Sequence, residues 1–300
     1  MNNLIYCLRH NCLINNQIKP TFSGLGDIIR GISQAYMICK YNDINFFICA
    51  SGHSLEPFIN INEELVYQGN FPEHIPYIDG NNHQLQKFLT LNSSNDSVFV
   101  MSNGDSELDS FSPPEPLINF LKQIFLENFS IQDTLFNKKP KIHKALHFRL
   151  GDQSLVSSNF LLNYYRNHMP PSFSFENWSN SLKHDYVFDF LLNYFEGKIK
   201  EADFVSCDNI FFLNFIKNKF PHILFNENKC HTGLINQEES LTDTLSDFYC
   251  LSYSRDITSV SHFPFGKRKS AFSTWAGFLG NADSINYFSF DPENLECLRL

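Results

Sequence analysis

Two kinds of apolar pattern alternate along this chain, and their order predicts its architecture. Continuous apolar runs at residues 4–8, 44–50, 98–101, 144–149, 203–206, 223–225 and 257–260 are too short for helices and suit buried strands. Between them apolar residues recur at helical spacing. Ile28, Ile29, Ile32, Ala35, Tyr36 and Cys39 make one stripe, and Leu117, Phe120, Leu121, Ile124, Phe125 and Phe129 make another. Helices are also expected over 186–195, 210–220, 242–254 and 271–279. The middle, 51–112, is richer in Asn, His, Pro and Gly and offers one clear strand, 98–101.

Strands alternating with helices imply an α/β fold with mostly parallel sheets, because a parallel neighbour needs a crossover and a helix supplies it. At 300 residues the chain exceeds what one core usually serves. The pattern breaks at Lys138-Lys139-Pro140-Lys141, so two domains are expected, 1–140 and 141–300. Polar residues gather just after the strands, where open α/β sheets bind ligands.

Composition excludes more than it identifies. The 32 phenylalanines are spread over every kind of segment and read as a genome bias. A net charge of −9 repels a phosphate backbone, and Lys267-Arg268-Lys269, the one dense basic run, reads as a solvated loop, so no nucleic-acid partner is expected. The eight cysteines form no C-x-x-C pair and no zinc spacing; they read as buried thiols of a reducing compartment, and no metal site is expected. The start lacks a basic n-region and an apolar h-region, and no run of 18 apolar residues occurs. The expectation is a cytoplasmic protein without a transmembrane segment, with peripheral membrane contact left open.

The strongest chemical signal is His147-Phe148-Arg149-Leu150-Gly151-Asp152. A strand that closes on an arginine sets a planar guanidinium at the sheet's carboxyl edge, where its fork can grip two phosphate oxygens. An arginine in that place also serves as an ion-pair partner. Near the start, Gly24-Leu25-Gly26-Asp27 forms a glycine turn at a helix entrance; Ile29 stands where a dinucleotide fingerprint needs its third glycine, and Gly31 comes too late. The turn lets backbone approach sugar or phosphate, and Arg30 on the first helical turn is a second candidate phosphate ligand. Ser270 and Ser273 open the last helix, which makes them an anion site or, for Ser270, a helix cap.

These segments resemble the fucosyltransferase superfamily, most nearly the α1,2-fucosyltransferases, with the α1,6- and protein O-fucosyltransferases in looser form. The family's His-x-Arg-x-Gly-Asp motif matches residues 147–152, its Gly-x-Gly-Asn turn matches 24–27, and its Ser/Thr-Asp strand end matches Ser206-Cys207-Asp208. Its last motif, Ser-x-Phe-Ser-x-Trp-Ala-x-x-Leu, matches 270–279, including Phe272. All four fall in the family's order over most of the chain.

The resemblance implies a GT-B-like pair of Rossmann-type domains, with the nucleotide-sugar donor in the C-terminal one and the acceptor against the N-terminal one. Arg149 would bind the β-phosphate, with His147 and Asp208 beside the donor, and Asp247 would receive the guanine edge. The implied reaction is fucose transfer from GDP-fucose to a glycan or other hydroxyl, inverting, with no cofactor and no metal. Asp27 departs from the family's Asn and is either the general base or a helix cap; Asp152 either serves that role or orients Arg149 or His147. The connection from His262 to Lys269 is longer than the family's and leaves Ser259 and Ser261 as alternative equivalents of the last motif's serines. Two other readings stay open: a GT-B transferase for another nucleotide sugar, and a non-catalytic nucleotide or sugar binder.

Overall fold

The structure, a computed structural model, describes residues 1–14, 16–20, 23–78, 82–127, 142–150, 185–226, 238–262, 268–292 and 294–300. These fall into two compact units, one holding 1–127 with residue 238 and the other holding the remainder from 142 onward.

In the first unit β1 (Asn3–Cys7) runs into a hairpin, β2 (Asn11–Ile14) and β3 (Gln17–Pro20), before α1 (Leu25–Asn42). There follow β4 (Asn45–Cys49), β5 (Tyr77–Ile78), α2 (Asn82–Leu91), β6 (Ser97–Ser102) and α3 (Glu115–Phe125). The main sheet has the order β4-β1-β6-β5, and all its pairings are parallel. Helix α1 forms because its stripe of Leu25, Ile28, Ile29, Ile32, Ala35 and Cys39 is buried on the sheet. It stops where Asp43 turns left-handed at φ 53° and returns its N–H to the Cys39 carbonyl. A side chain at Gly31 would collide with the Ser102 carbonyl and the Tyr6 hydroxyl, so glycine is what lets α1 press against the end of β6.

The second unit carries β7 (Lys144–Arg149), α4 (Asp185–Tyr194), α5 (Glu196–Glu201), β8 (Phe204–Cys207) and α6 (Ile210–Lys219). It continues with α7 (Glu238–Ser252), β9 (Asp256–Ser261), α8 (Ala271–Gly280), β10 (Ser284–Asp291) and β11 (Glu296–Arg299). The sheet order is β11-β10-β9-β7-β8, parallel except for the β10–β11 hairpin. Its core is aromatic. Phe148 is fully buried, with Phe212 at 5.0 Å and Phe195 at 5.8 Å between ring centroids, and burying one such ring is worth roughly 1.5–3 kcal/mol.

Both sheets are mostly parallel with helices between their strands, as expected. The hairpin β2–β3, the short β5, helix α2 and the strands β10 and β11 go beyond the apolar pattern, and 223–225 makes only a single bridge, Leu224 to Phe204. Helix α2 buries little beyond Leu85 and Leu89, too few apolar positions to stand out as a stripe. Strand β10 alternates polar and apolar residues, and β11 is a charged edge, so neither shows a continuous run.

Candidate functional site

In an open α/β sheet the order of strands reverses at one place, and the loops there part to leave room for a ligand at the carboxyl ends. In the second unit the chain leaves β7 for β8 on one side and returns through β9 on the other, so the reversal lies between β7 and β9. Arg149 closes β7 there, in register with Ser261 on β9 and accepting the His262 N–H at its carbonyl at 2.8 Å. Its guanidinium pairs through Nη1 with Asp208, just past β8, and keeps 23% of the side chain exposed. The other Asp208 oxygen accepts the Leu150 N–H at 2.7 Å. One carboxylate therefore fixes both the arginine and the backbone that leaves the strand.

The residues around this edge are mostly buried. His147 is 3% exposed, and its ring lies 5.4 Å from Phe272, which in turn meets Phe248 edge-on at 5.3 Å. Ser270 caps α8 by backbone conformation, φ −75° and ψ 117°, with no capping bond from its hydroxyl. Ser273 is fully buried and donates to Ser259 Oγ at 2.8 Å, tying the start of α8 to β9. Ser261 instead donates to the Arg268 carbonyl at 2.6 Å. Trp275 packs in the core at 1% exposure.

Asp247 is 2% exposed; one oxygen accepts from the Ser206 hydroxyl and the other from Asn226 Nδ2 at 2.7 Å. Its carboxylate thus joins α7 to the end of β8. Asp152 and residues 263–267 lie outside the described residues.

In the first unit the glycine turn meets the carboxyl end of β6. Gly24 is the N-cap of α1, and Asp27, three residues on, reaches back to the Gly24 N–H at 3.2 Å. The capping alternative for Asp27 is corrected accordingly: it acts from inside the helix and Gly24 holds the cap position, because the extended backbone at ψ 165° falls on the glycine. The other Asp27 oxygen pairs with Arg30 Nη2 at 2.5 Å.

Arg30 is 7% exposed, and its other two nitrogens donate to Asp109 at 2.6 Å and to the Asn103 carbonyl at 2.9 Å. Burial works against its charge, but the Asp27 and Asp109 carboxylates outweigh burial and hold the guanidinium above the ordinary arginine value. The guanidinium is committed to this network, whereas 34% of the Asp27 side chain stays exposed.

Sequence reasoning missed Asp109 and Asn226. Asp109 sits in a one-turn helix over Ser106–Ser110, and neither periodicity nor motif marks it. Its signal is indirect: a buried arginine requires carboxylates, and one within its own helix does not suffice. Among the described residues no group of three or more His, Cys, Asp or Glu could hold a metal ion, and no helix is long and apolar enough to cross a membrane.

Two Rossmann-type units with mostly parallel sheets define a GT-B-like α/β fold. The chain shares that fold with selenomethionine-labelled fucosyltransferase NodZ from Bradyrhizobium, with a TM-score of 0.53 and 14% identity over 100% of this chain and 98% of that one. NodZ α-1,6-fucosyltransferase co-crystallised with GDP aligns with a TM-score of 0.49 at 14% identity, over 100% of this chain and 98% of that one. No protein-family model and no curated protein matches the sequence.

Proposed function

We propose that the protein is a glycosyltransferase that takes a hexose from a GDP-sugar, GDP-fucose first among them, and delivers it with inversion to a glycan hydroxyl without a metal ion. The observation that carries this reading is Arg149, partly exposed at the carboxyl edge of β7, at the sheet's reversal, and braced by Asp208. Breaking the anomeric C–O bond puts negative charge on the departing diphosphate and positive charge on the sugar. Preorganised positive charge at the diphosphate lowers that barrier. Arg149 supplies it, with the first turn of α8 at Ser270 to Ser273 adding backbone N–H groups.

His147 and Phe272 form one wall of the donor site. Asp208 acts through Arg149, as a positioning residue. Asp247 holds one protein donor on each oxygen and keeps lone pairs with which it would receive guanine. In the first unit, the domain assigned to the acceptor, Asp27 is the candidate base that takes the hydroxyl proton as oxygen attacks the anomeric carbon and GDP leaves. Arg30 is assigned to holding Asp27 rather than phosphate, since it is buried and each of its three guanidinium nitrogens already holds a protein acceptor.

Calorimetric titration with GDP, with and without EDTA, tests the reading beside Arg149→Ala. The expected result is binding unaffected by EDTA and weakened by at least about tenfold in the variant, a charge-assisted bidentate contact being worth about 1.5–3 kcal/mol. Unchanged affinity in the variant removes Arg149 from the argument. A panel of GDP-fucose, GDP-mannose and UDP-sugars assayed for donor hydrolysis decides the sugar. The engagement of both Asp27 oxygens favours one second reading, a nucleotide or sugar binder without turnover; there GDP binds and no donor is hydrolysed.

A further inference from the structure

The first unit holds a thiol pair that the proposed reaction does not use. Cys7 and Cys49 close the neighbouring parallel strands β1 and β4 and stand in register with each other. Adjacent strands lie about 4.8 Å apart, and two residues in register project to the same face, within the span of a disulfide. Both thiols are buried in one cluster with Ile5, Cys12, Ile75 and Met101. The Cys7 thiol is within hydrogen-bond reach of Cys49 Sγ and of the Ile5 carbonyl, the latter at 3.7 Å.

An arginine addresses the pair. Arg9 Nη2 lies 3.6 Å from Cys49 Sγ, while its Nη1 is anchored to the Ser51 carbonyl at 2.5 Å and the Leu8 carbonyl at 3.0 Å. The guanidinium carbon sits 5.9 Å over the Phe71 ring, which fixes it further. The two sulfurs differ in environment. Cys49 keeps 6% of its surface exposed and Cys7 none.

We propose that Cys7 and Cys49 are an oxidisable dithiol, with Cys49 the nucleophile that meets a peroxide and Cys7 the thiol that resolves the product into a reversible disulfide. The Cys49 thiolate attacks one oxygen of hydrogen peroxide; an S–O bond forms, the O–O bond breaks, and hydroxide leaves. The Cys7 sulfur then attacks the sulfur of that sulfenic acid, the S–O bond breaks, and the Cys7 proton leaves with the oxygen as water. Two electrons pass from the thiols to the peroxide.

The electrostatics support these roles. The hydrogen bond from Cys7, the Ser51 backbone and Arg9 together outweigh burial and hold the Cys49 thiol down at about 6, so it is mostly thiolate at neutral pH. Sharing its proton with Cys49 and burial push Cys7 well up. Cys12, the third thiol of the cluster, is pushed up to about 12 by burial, and its sulfur lies 3.7 Å from Met101 Sδ. Cys12 therefore stays a thiol and serves as the internal control.

The test uses the whole reduced chain. Native protein at pH 7 is pulsed with iodoacetamide, then mapped by mass spectrometry; Cys49 is expected to label at least about tenfold faster than Cys12 or Cys39, given its thiolate fraction. After hydrogen peroxide, mapping without reductant should find the Cys7 and Cys49 peptides joined and two hydrogens lighter, and dithiothreitol should separate them. Cys7→Ser should leave a sulfenic acid on Cys49 that dimedone traps, and Cys49→Ser should give neither product. The wild-type pulse needs no variant to fold. Slow labelling of Cys49, or a disulfide joining any other pair first, overturns the proposal.

Discussion

Asp109 is the residue whose loss should reveal how α1 is held. Asp109→Asn keeps the side chain's shape and removes its charge from Arg30, which is 7% exposed and 2.6 Å away. At an effective dielectric of about 20, two unit charges that close attract by roughly 6 kcal/mol before desolvation is counted. Breaking a buried pair from one side costs about 3–5 kcal/mol, chiefly because a buried charge is left behind. Asp27 still faces Arg30 at 2.5 Å, so the lower end applies, about 3 kcal/mol. For a domain of this size that lowers Tm by roughly 6–12 °C.

Thermal unfolding followed by far-UV circular dichroism reads the loss. Hydrogen exchange of the α1 amides localises it to the first unit. Arg30→Met combined with Asp109→Leu removes both charges, and it should unfold at least about 2 kcal/mol later than the two single variants together imply. Asp109→Asn within about 1 kcal/mol of wild type, or additive behaviour in the double variant, refutes the reasoning.

A methyl group at Gly280 would fall on the Ser252 carbonyl, so Gly280→Ala should destabilise the second unit by about 1–3 kcal/mol in urea unfolding, although alanine is the better helix former. Burial, then stacked His10 and Arg9, push His53 down to about 3, so the folded protein keeps that ring neutral where the unfolded chain protonates it. Stability from this group is whole above pH 6.5 and falls as pH drops toward 3, at up to about 1.4 kcal/mol per pH unit. His53→Asn, which keeps an acceptor for the Leu55 N–H, should flatten urea midpoints over that range. Asp208→Asn removes a competitor for the Arg149 charge but also the brace on Arg149 and Leu150, and the brace dominates, so GDP affinity should fall about tenfold in calorimetry. Tighter GDP binding in that variant would mean that Asp208 only competes.

How much of this was legible before the structure follows from the range of each interaction. Alternation of short apolar runs with stripes at helical spacing is a local signal, and it sufficed for the strands β1, β4, β6, β7, β8 and β9 and for the helices that bury a full stripe. It does not reach β10, whose inward Phe288 and Phe290 alternate with polar residues, or α2, whose register rests on Leu85 and Leu89. Arg149 and Arg30 could be named as candidates from sequence because each stands beside a turn. Which of them meets solvent could not.

That difference is decided by carboxylates far off in the chain: Asp109 is 79 residues from Arg30, and Asp208 is 59 from Arg149. Two carboxylates and a carbonyl engage all three guanidinium nitrogens of Arg30 and make it part of the scaffold. Asp208 steadies Arg149, which keeps 23% of its side chain exposed at the edge of the sheet. Motif spacing identifies an arginine, but only the folded pairing assigns its charge, and on that assignment the proposed donor site is placed at Arg149 rather than at Arg30.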